Sequence, residues 1–426
     1  MPPPTDAMHR DTTKDDEGAE MMKRYEQVRA VVVGTAMLAT VPALAQNSVT
    51  LYGVVDNGIG YQSSATTLGS TTGGHSAVKM VSGVWLGDRF GLKGSEDLGG
   101  GTKAIFQLEE GFSGATGAES VSGVAFSRTA YVGMTNPTYG SLTAGRQYAS
   151  YYQFLAPYSP TTWLTGFYGA HPGDLDGMDT IYRANNTLEY TSPNLYGFSA
   201  SGSYSLGGVA GSFNAGSTWS AAVQYAAGPA GAAVAFSRIN NSTPGGGAFG
   251  AASTTSNNGA QIGVSAVTNG YQTARAQQRL AVGASYKFSD SWDVSATYSN
   301  VQYIPGTGSA FVDTEIFNTG GVVLHWKPTI AWDLATGYSY TRATKANGIS
   351  SSAQYQQFNL TQYYSLSKRT GLYALEAYQR ANGETLGTDG VGHIIEATAT
   401  LGDGFQSSPS STRNMFAAGI GIVHRF

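Results

Sequence analysis

Leu280-Ala281-Val282-Gly283-Ala284-Ser285-Tyr286-Lys287-Phe288 is the stretch that decides the fold. Leu280, Val282, Ala284, Tyr286 and Phe288 alternate with Ala281, Gly283, Ser285 and Lys287. A period of two puts one set of side chains on each face of a β-strand. Ser289-Asp290-Ser291 then breaks the run as a turn. The pattern recurs along the chain. In 198–206, Phe198, Ala200, Gly202, Tyr204 and Leu206 alternate with four serines; in 332–340, Trp332, Leu334, Thr336, Tyr338 and Tyr340 alternate with Asp333, Ala335, Gly337 and Ser339.

The breaks between runs alternate in length. Short ones, rich in Gly, Pro, Asn, Asp and Ser, fall at 96–102, 136–140, 192–197, 227–230, 289–291, 327–329 and 367–370. Long ones fall near 62–84, 113–125, 149–181, 207–217, 240–277, 304–315, 343–354 and 381–413. Seven turns and eight loops separate sixteen strands, an even number with short connections at one end and long ones at the other. A soluble sandwich would show the same alternation. Here the apolar faces are flanked by Tyr, Phe and Trp near the strand ends, and the opposite faces carry Ser, Thr, Gly, Gln and charge. That pairing fits hydrocarbon outside and water within. A sheet in hydrocarbon leaves no edge unpaired, because bare N–H and C=O groups are costly there. The spacing therefore predicts an all-β, sixteen-stranded antiparallel transmembrane barrel, with Val49 to Gly60 closing against Asn414 to Phe426.

Composition excludes other classes. Charged residues are 12% of the 426, against a usual share of roughly 25%. Apolar residues reach 41%, but the body of the chain has no apolar run of the ~20 residues that a spanning helix needs. The 57 glycines and 26 tyrosines suit tight turns and an amphipathic wall. Without cysteine there is no disulfide framework and no cysteine-ligated metal. At the N-terminus, Lys23, Arg24 and Arg29 precede the apolar Val31 to Val41 and the small residues Ala43-Leu44-Ala45, as in an export signal. Residues 1–45 are expected to be an upstream extension and signal peptide cleaved after Ala45, and 46–426 a single barrel domain. Removing 1–45 takes away 5 basic and 7 acidic groups and leaves 19 and 21, a net charge of −2. No basic field for nucleic acid remains.

Several fragments, in order, carry a family resemblance. They are Ser48-Val49-Thr50-Leu51-Tyr52-Gly53, Arg89 to Gly99, Lys103 to Glu109, Ala130-Tyr131-Val132-Gly133, Gly145-Arg146-Gln147-Tyr148, Tyr190-Thr191-Ser192-Pro193, Leu366 to Thr370 and His424-Arg425-Phe426. Together they resemble the general porins of Gram-negative bacteria, in their β-proteobacterial branch. The resemblance implies an outer-membrane channel for passive diffusion of ions and small hydrophilic solutes. It implies a homotrimer embedded in outer-membrane lipid and lipopolysaccharide, and a third outer loop folded into the pore. It also implies a terminal Phe426 read by the outer-membrane assembly machinery. No enzyme activity, cofactor or bound metal is expected.

In a channel, the site is the constriction, where pore width and fixed charge set selectivity. With Phe90 and Leu92 outward, Arg89 and Lys93 face in. Arg146 and Tyr148 share a parity and are read as lumenal, because charge on the lipid face at mid-depth costs about 2–4 kcal/mol. The same cost places Arg128 and Arg183 inside. Carried over from the family, Arg89, Arg128 and Arg183 are wall arginines with Arg146 a neighbour, facing Asp174, Asp176 and Asp179 on the third loop. The wall arginines favour a modest anion preference. The rival readings are strand-end charges in headgroup water for the arginines, and a solvated outer face or calcium site for the aspartates. Glu109 and Asp56 have lumen parity and are read as solvated wall positions. A barrel enzyme would need a nucleophile beside a histidine, and no Gly-x-Ser-x-Gly motif lies near His75, His171, His325, His393 or His424.

Overall fold

The computed structural model describes residues 48–179, 183–255, 264–388, 390, 393–403 and 409–426. The expected signal peptide and its cleavage after Ala45 lie outside the described residues. The strands are β1 Ser48–Ala65, β2 His75–Ser82, β3 Arg89–Gly99, β4 Thr102–Gly111, β5 Thr129–Asn136, β6 Gly140–Tyr148, β7 Arg183–Thr191, β8 Phe198–Ser205, β9 Thr218–Ala227 and β10 Ala230–Asn240. They continue as β11 Ala276–Lys287, β12 Trp292–Ile304, β13 Glu315–Trp326, β14 Trp332–Ala343, β15 Gln354–Ser365, β16 Thr370–Asn382, β17 Glu384–Leu386, β18 Ile394–Glu396 and β19 Asn414–Arg425. β17 and β18 form a small separate hairpin.

The other 17 strands make one antiparallel sheet in which each pairs with the next strand along the chain, except that β2 and β3 both pair with β1 and not with each other. β1 meets β19 in the register Val54↔Arg425 to Gln62↔Ala417, so the sheet closes on itself. On its other edge β1 pairs first with β2, from Asn57↔Ser82, and then with β3, from Val54↔Arg89. β2 and β3 thus share one position and the barrel has sixteen. Here the structure refines the sequence reading. The first long connection is 66–74, and the second strand position starts at His75 and is interrupted at 83–88. Gly83 turns the chain at φ +67°, and the Asp56 carboxylate accepts the Trp85 and Leu86 N–H groups at 2.5 and 2.8 Å. Buried Asp56 is therefore a brace for this insertion and not a solvated wall position.

The two faces meet different media. Phe198 and Ile420 expose 55% and 61% of their surface on the outside. At the turn end, exposed rings stack in pairs, Trp292 on Trp326 at 5.3 Å and Trp332 beside Tyr364 at 4.9 Å, as an interfacial aromatic belt does. At the loop end, Tyr271, Phe311 and Phe317 form edge-to-face contacts in a buried cluster that packs the long loops together.

Inside, the wall of β9, β10 and β11 is lined with small residues. Buried Ala222, Ala233, Ala235 and Ala281 pack against Tyr151, Phe154, Leu155 and Tyr158 of the connection between β6 and β7. A Cβ on Gly283 would come 2.6 Å from the Tyr158 Cβ. These positions leave room for the connection to lie against the wall, inside the barrel.

The closing seam yields a prediction. Gly53 and Phe426 exchange N–H···O bonds of 3.1 Å, and a Cβ at Gly53 would fall 2.2 Å from the Phe426 ring and 2.8 Å from the Arg89 carbonyl oxygen. Gly53→Val should destabilise the barrel by about 1–3 kcal/mol, as overpacking does. A lower unfolding midpoint, followed by the gel shift between unheated folded and heated unfolded protein, would register it.

Candidate pore constriction

The connection from β6 to β7 crosses the lumen and is tied to the far wall along its length. The helix Ser150–Leu155 packs on β9 and β10. Trp163 lies flat on His325 of β13, with ring centroids 3.5 Å apart and planes 5° apart. His325 bonds Asp293 through Nδ1 at 2.7 Å and Asp333 through Nε2 at 3.1 Å, with Lys327 3.4 Å from Asp333. Gln357 and Asn359 of β15 donate to the Tyr168 carbonyl at 3.0 and 2.7 Å, and Arg279 of β11 to that of Leu175 at 3.1 Å.

Asp176 belongs to this anchoring. Its Oδ2 bonds His171 Nδ1 at 2.6 Å and accepts from Ser299 at 2.7 Å, and its side chain is fully buried. Burial alone would raise its carboxyl, but His171 and Ser299 outweigh burial and hold it below the ordinary carboxylate range. Asp174 is also buried, and burial reinforced by Asp179 and Asp176 pushes it well above that range. Neither lines the passage. His171, Asp176 and Ser299 together do not make a charge-relay set, because the serine donates to the carboxylate and not to the imidazole.

The passage runs between this connection and the opposite wall of β3 to β7. A cavity of about 340 Å³ is lined there by Arg89, Arg128, Arg183 and Tyr148 on the wall, by Asp179 and Tyr152 on the crossing segment, and by Asp403 from the last long loop. Arg128 and Arg183 donate to one acceptor, the Tyr148 hydroxyl, at 3.1 and 2.7 Å. Arg183 also covers the Tyr148 ring at 4.7 Å, and Tyr152 stacks on that ring at 4.6 Å. Arg128 Nε bonds Glu109 at 2.6 Å, and Glu109 accepts from Tyr52 at 2.8 Å. Glu109, read from sequence as a solvated position, is therefore the buried counter-ion of the constriction. Arg89 makes no side-chain hydrogen bond or ion pair among the described residues.

Arg146 does not line the cavity. The β6–β7 register shifts between Gly145 and Gln147, where Asn185 and Asn186 of β7 stand opposite Arg146 alone; at this bulge Gln147 and Tyr148 both face the lumen, and the alternation that put Arg146 with Tyr148 fails. Arg146 instead grips the Ser127 carbonyl through Nε and Nη2 at 2.8 and 2.6 Å. Glu110 accepts the N–H of the same Ser127 at 2.8 Å. Together they clamp the residue that precedes Arg128. Sequence patterning missed Glu110 and Trp85, which also lines the cavity; the only sign of Glu110 was a charge at an outward parity beside Glu109.

A family model described as Gram-negative porin matches residues 30–384. An outer membrane porin protein of Bordetella pertussis is 34% identical over 196 residues, 43% of this chain and 48% of the relative. Outer membrane porin protein 32 of Delftia acidovorans is 31% identical over 182 residues, 42% of this chain and 49% of the relative. The chain thus spans about half the length of the curated relatives it matches. An anion-selective porin from Comamonas acidovorans superposes with a TM-score of 0.63 at 22% identity, over 89% of this chain and 100% of that one, a likeness of fold.

Two outcomes follow from the anchoring. Trp163→Ala should raise open-channel current noise at unchanged barrel stability, since it frees the crossing segment from β13 and leaves the wall intact. Because the folded value of Asp176 is depressed, its tie is complete above the ordinary ~3.9 and is lost as pH falls through the lower folded value. Protease nicking of the 149–179 segment should therefore be absent near pH 5 and appear only in stronger acid.

Proposed function

This chain belongs to the Gram-negative porin family, and from that premise we propose that it forms a water-filled outer-membrane channel for passive diffusion of ions and small hydrophilic solutes, with a modest anion preference. It is a channel and not an enzyme. The observation that carries the reading is the convergence of Arg128 and Arg183 on the Tyr148 hydroxyl, with Arg89 beside them lining the same narrow cavity. Guanidinium groups on one wall attract and desolvate anions in single file. Asp179 and Asp403 line the same cavity, so the field runs across the passage and the preference is moderate.

The channel works as a trimer. The outer face of β1, β2 and β5 is aliphatic, with Val49, Leu51, Ile59, Val78, Met80, Val132 and Met134 all more than half exposed. Paired exposed rings run instead along β8 to β15, as in Phe198 with Tyr225, Trp292 with Trp326 and Trp332 with Tyr364. Flat aliphatic surface suits protein packing, and interfacial rings suit contact with lipid headgroups.

Reversal potentials across a planar bilayer in a salt gradient test both the channel and its sign. Arg89→Gln should shift the reversal potential toward cation preference and leave the barrel as stable as before, because Arg89 holds no ion pair among the described residues. Arg128→Gln should produce the same shift and also destabilise the protein by about 3–5 kcal/mol, because it leaves Glu109 buried without its partner. An unchanged potential in Arg89→Gln would remove the arginines from the filter.

A further inference from the structure

The insertion at 83–88 gives the constriction an aromatic edge. Its backbone is fixed by the bonds from Trp85 and Leu86 to Asp56, which also accepts from Tyr373 at 2.7 Å. The Trp85 indole is held by two neighbouring rings. It stacks on Tyr363 of β15 at 4.5 Å and 28°, and lies 5.9 Å and 26° from Tyr373 of β16. The indole is only partly buried and lines the same cavity as the arginines. Its N–H makes no hydrogen bond among the described residues. Two residues on, the chain touches the guanidinium of the wall: a Cβ at Gly87 would sit 3.1 Å from Arg128 Nη1. Buried Val84 and part-buried Leu86 make the surface around the indole apolar.

A rigid planar ring beside a cluster of guanidinium groups matches one kind of solute. Its carboxylate pairs with arginine, and its flat apolar body stacks on the indole. Offset stacking of aromatic rings contributes about 0.5–1.5 kcal/mol beyond area burial. A charge-matched solute without a flat face gains only the first contact. A small inorganic anion makes no use of the indole at all.

We propose that Trp85, held by Asp56, Tyr363 and Tyr373, forms with the wall arginines a retention site for planar aromatic carboxylates inside the channel. The inference rests on the anion-channel reading and names the solute class that the site delays.

The test uses the full-length channel in planar bilayers carrying chloride current, with benzoate and cyclohexanecarboxylate as probes. They share a charge and a ring size but differ in planarity. Benzoate should interrupt the chloride current at roughly twofold to twelvefold lower concentration than cyclohexanecarboxylate, the factor that the stacking increment converts to. Trp85→Leu should remove that difference, and Trp85→Phe should retain part of it. Equal block by the two probes in the unaltered channel, or an undiminished difference in Trp85→Leu, would overturn the site. Failure of the underlying reading shows separately, as a lack of anion preference in simple salt before either probe is added. Should Trp85→Leu disturb the insertion, its chloride conductance changes too, and the Trp85→Phe comparison then decides, with loss of all discrimination in that conductive variant counting against the site.

Discussion

A strand edge inside hydrocarbon has nothing to bond to, and this constraint organises the whole molecule. It requires β1 to find β19, and it fixes the register in which they meet, from Val54↔Arg425 to Gln62↔Ala417. Once the sheet is closed, each strand has a wet face and an oily face, and the alternation in the sequence has a single consistent solution. Closure also sets the strand count. The position shared by β2 and β3 shows that the ring tolerates a break where another strand, β1, runs past it and pairs with both pieces.

A barrel of this size would be a wide pore, and its narrowing depends on an asymmetry of side-chain volume around the wall. β9 to β11 present alanines and Gly283 to the lumen, and the helix Ser150–Leu155 with Tyr158 fills the room they leave. The facing wall presents the charged Arg89, Arg128 and Arg183 and the polar Tyr148, all long side chains that line the cavity. The passage is therefore displaced to one side and bounded by unlike surfaces. The Asp176–His171–Ser299 tie and the stacking of Trp163 on His325 hold the crossing segment against its own side.

Buried polar groups position the charged ones. Arg128 is set by Glu109 in front and by the Glu110 and Arg146 clamp on Ser127 behind. Asp56 plays the same part for the Trp85 insertion. In each case a charge that a pattern-based reading would send to solvent is spent on holding a neighbour, which is the condition under which ionised groups persist in buried places.

The sequence by itself determined the all-β class, the sixteen strands, the short and long ends, and the pair of strands that closes the ring. These follow from a period of two and from the spacing of turn residues, both of which are local. It also put Arg89 on the inner face by its parity with outward Phe90 and Leu92, and Arg128 and Arg183 there because a charge in lipid is too costly to leave outside. Tertiary structure decided the rest. Arg146 escaped its parity at a bulge where Asn185 and Asn186 of β7 stand opposite it, and a bulge is set by the pairing of two strands. Asp174 and Asp176 left the passage, and Glu109 and Asp56 left the solvent, because burial depends on what packs from elsewhere in the chain. The insertion at Trp85 falls just past the 62–84 loop marked by the turn residues, and it exists because β1 runs past both β2 and β3. Periodicity reports which face a residue takes. Which partner waits on that face is set by segments far away in sequence, and only the closed barrel brings them together.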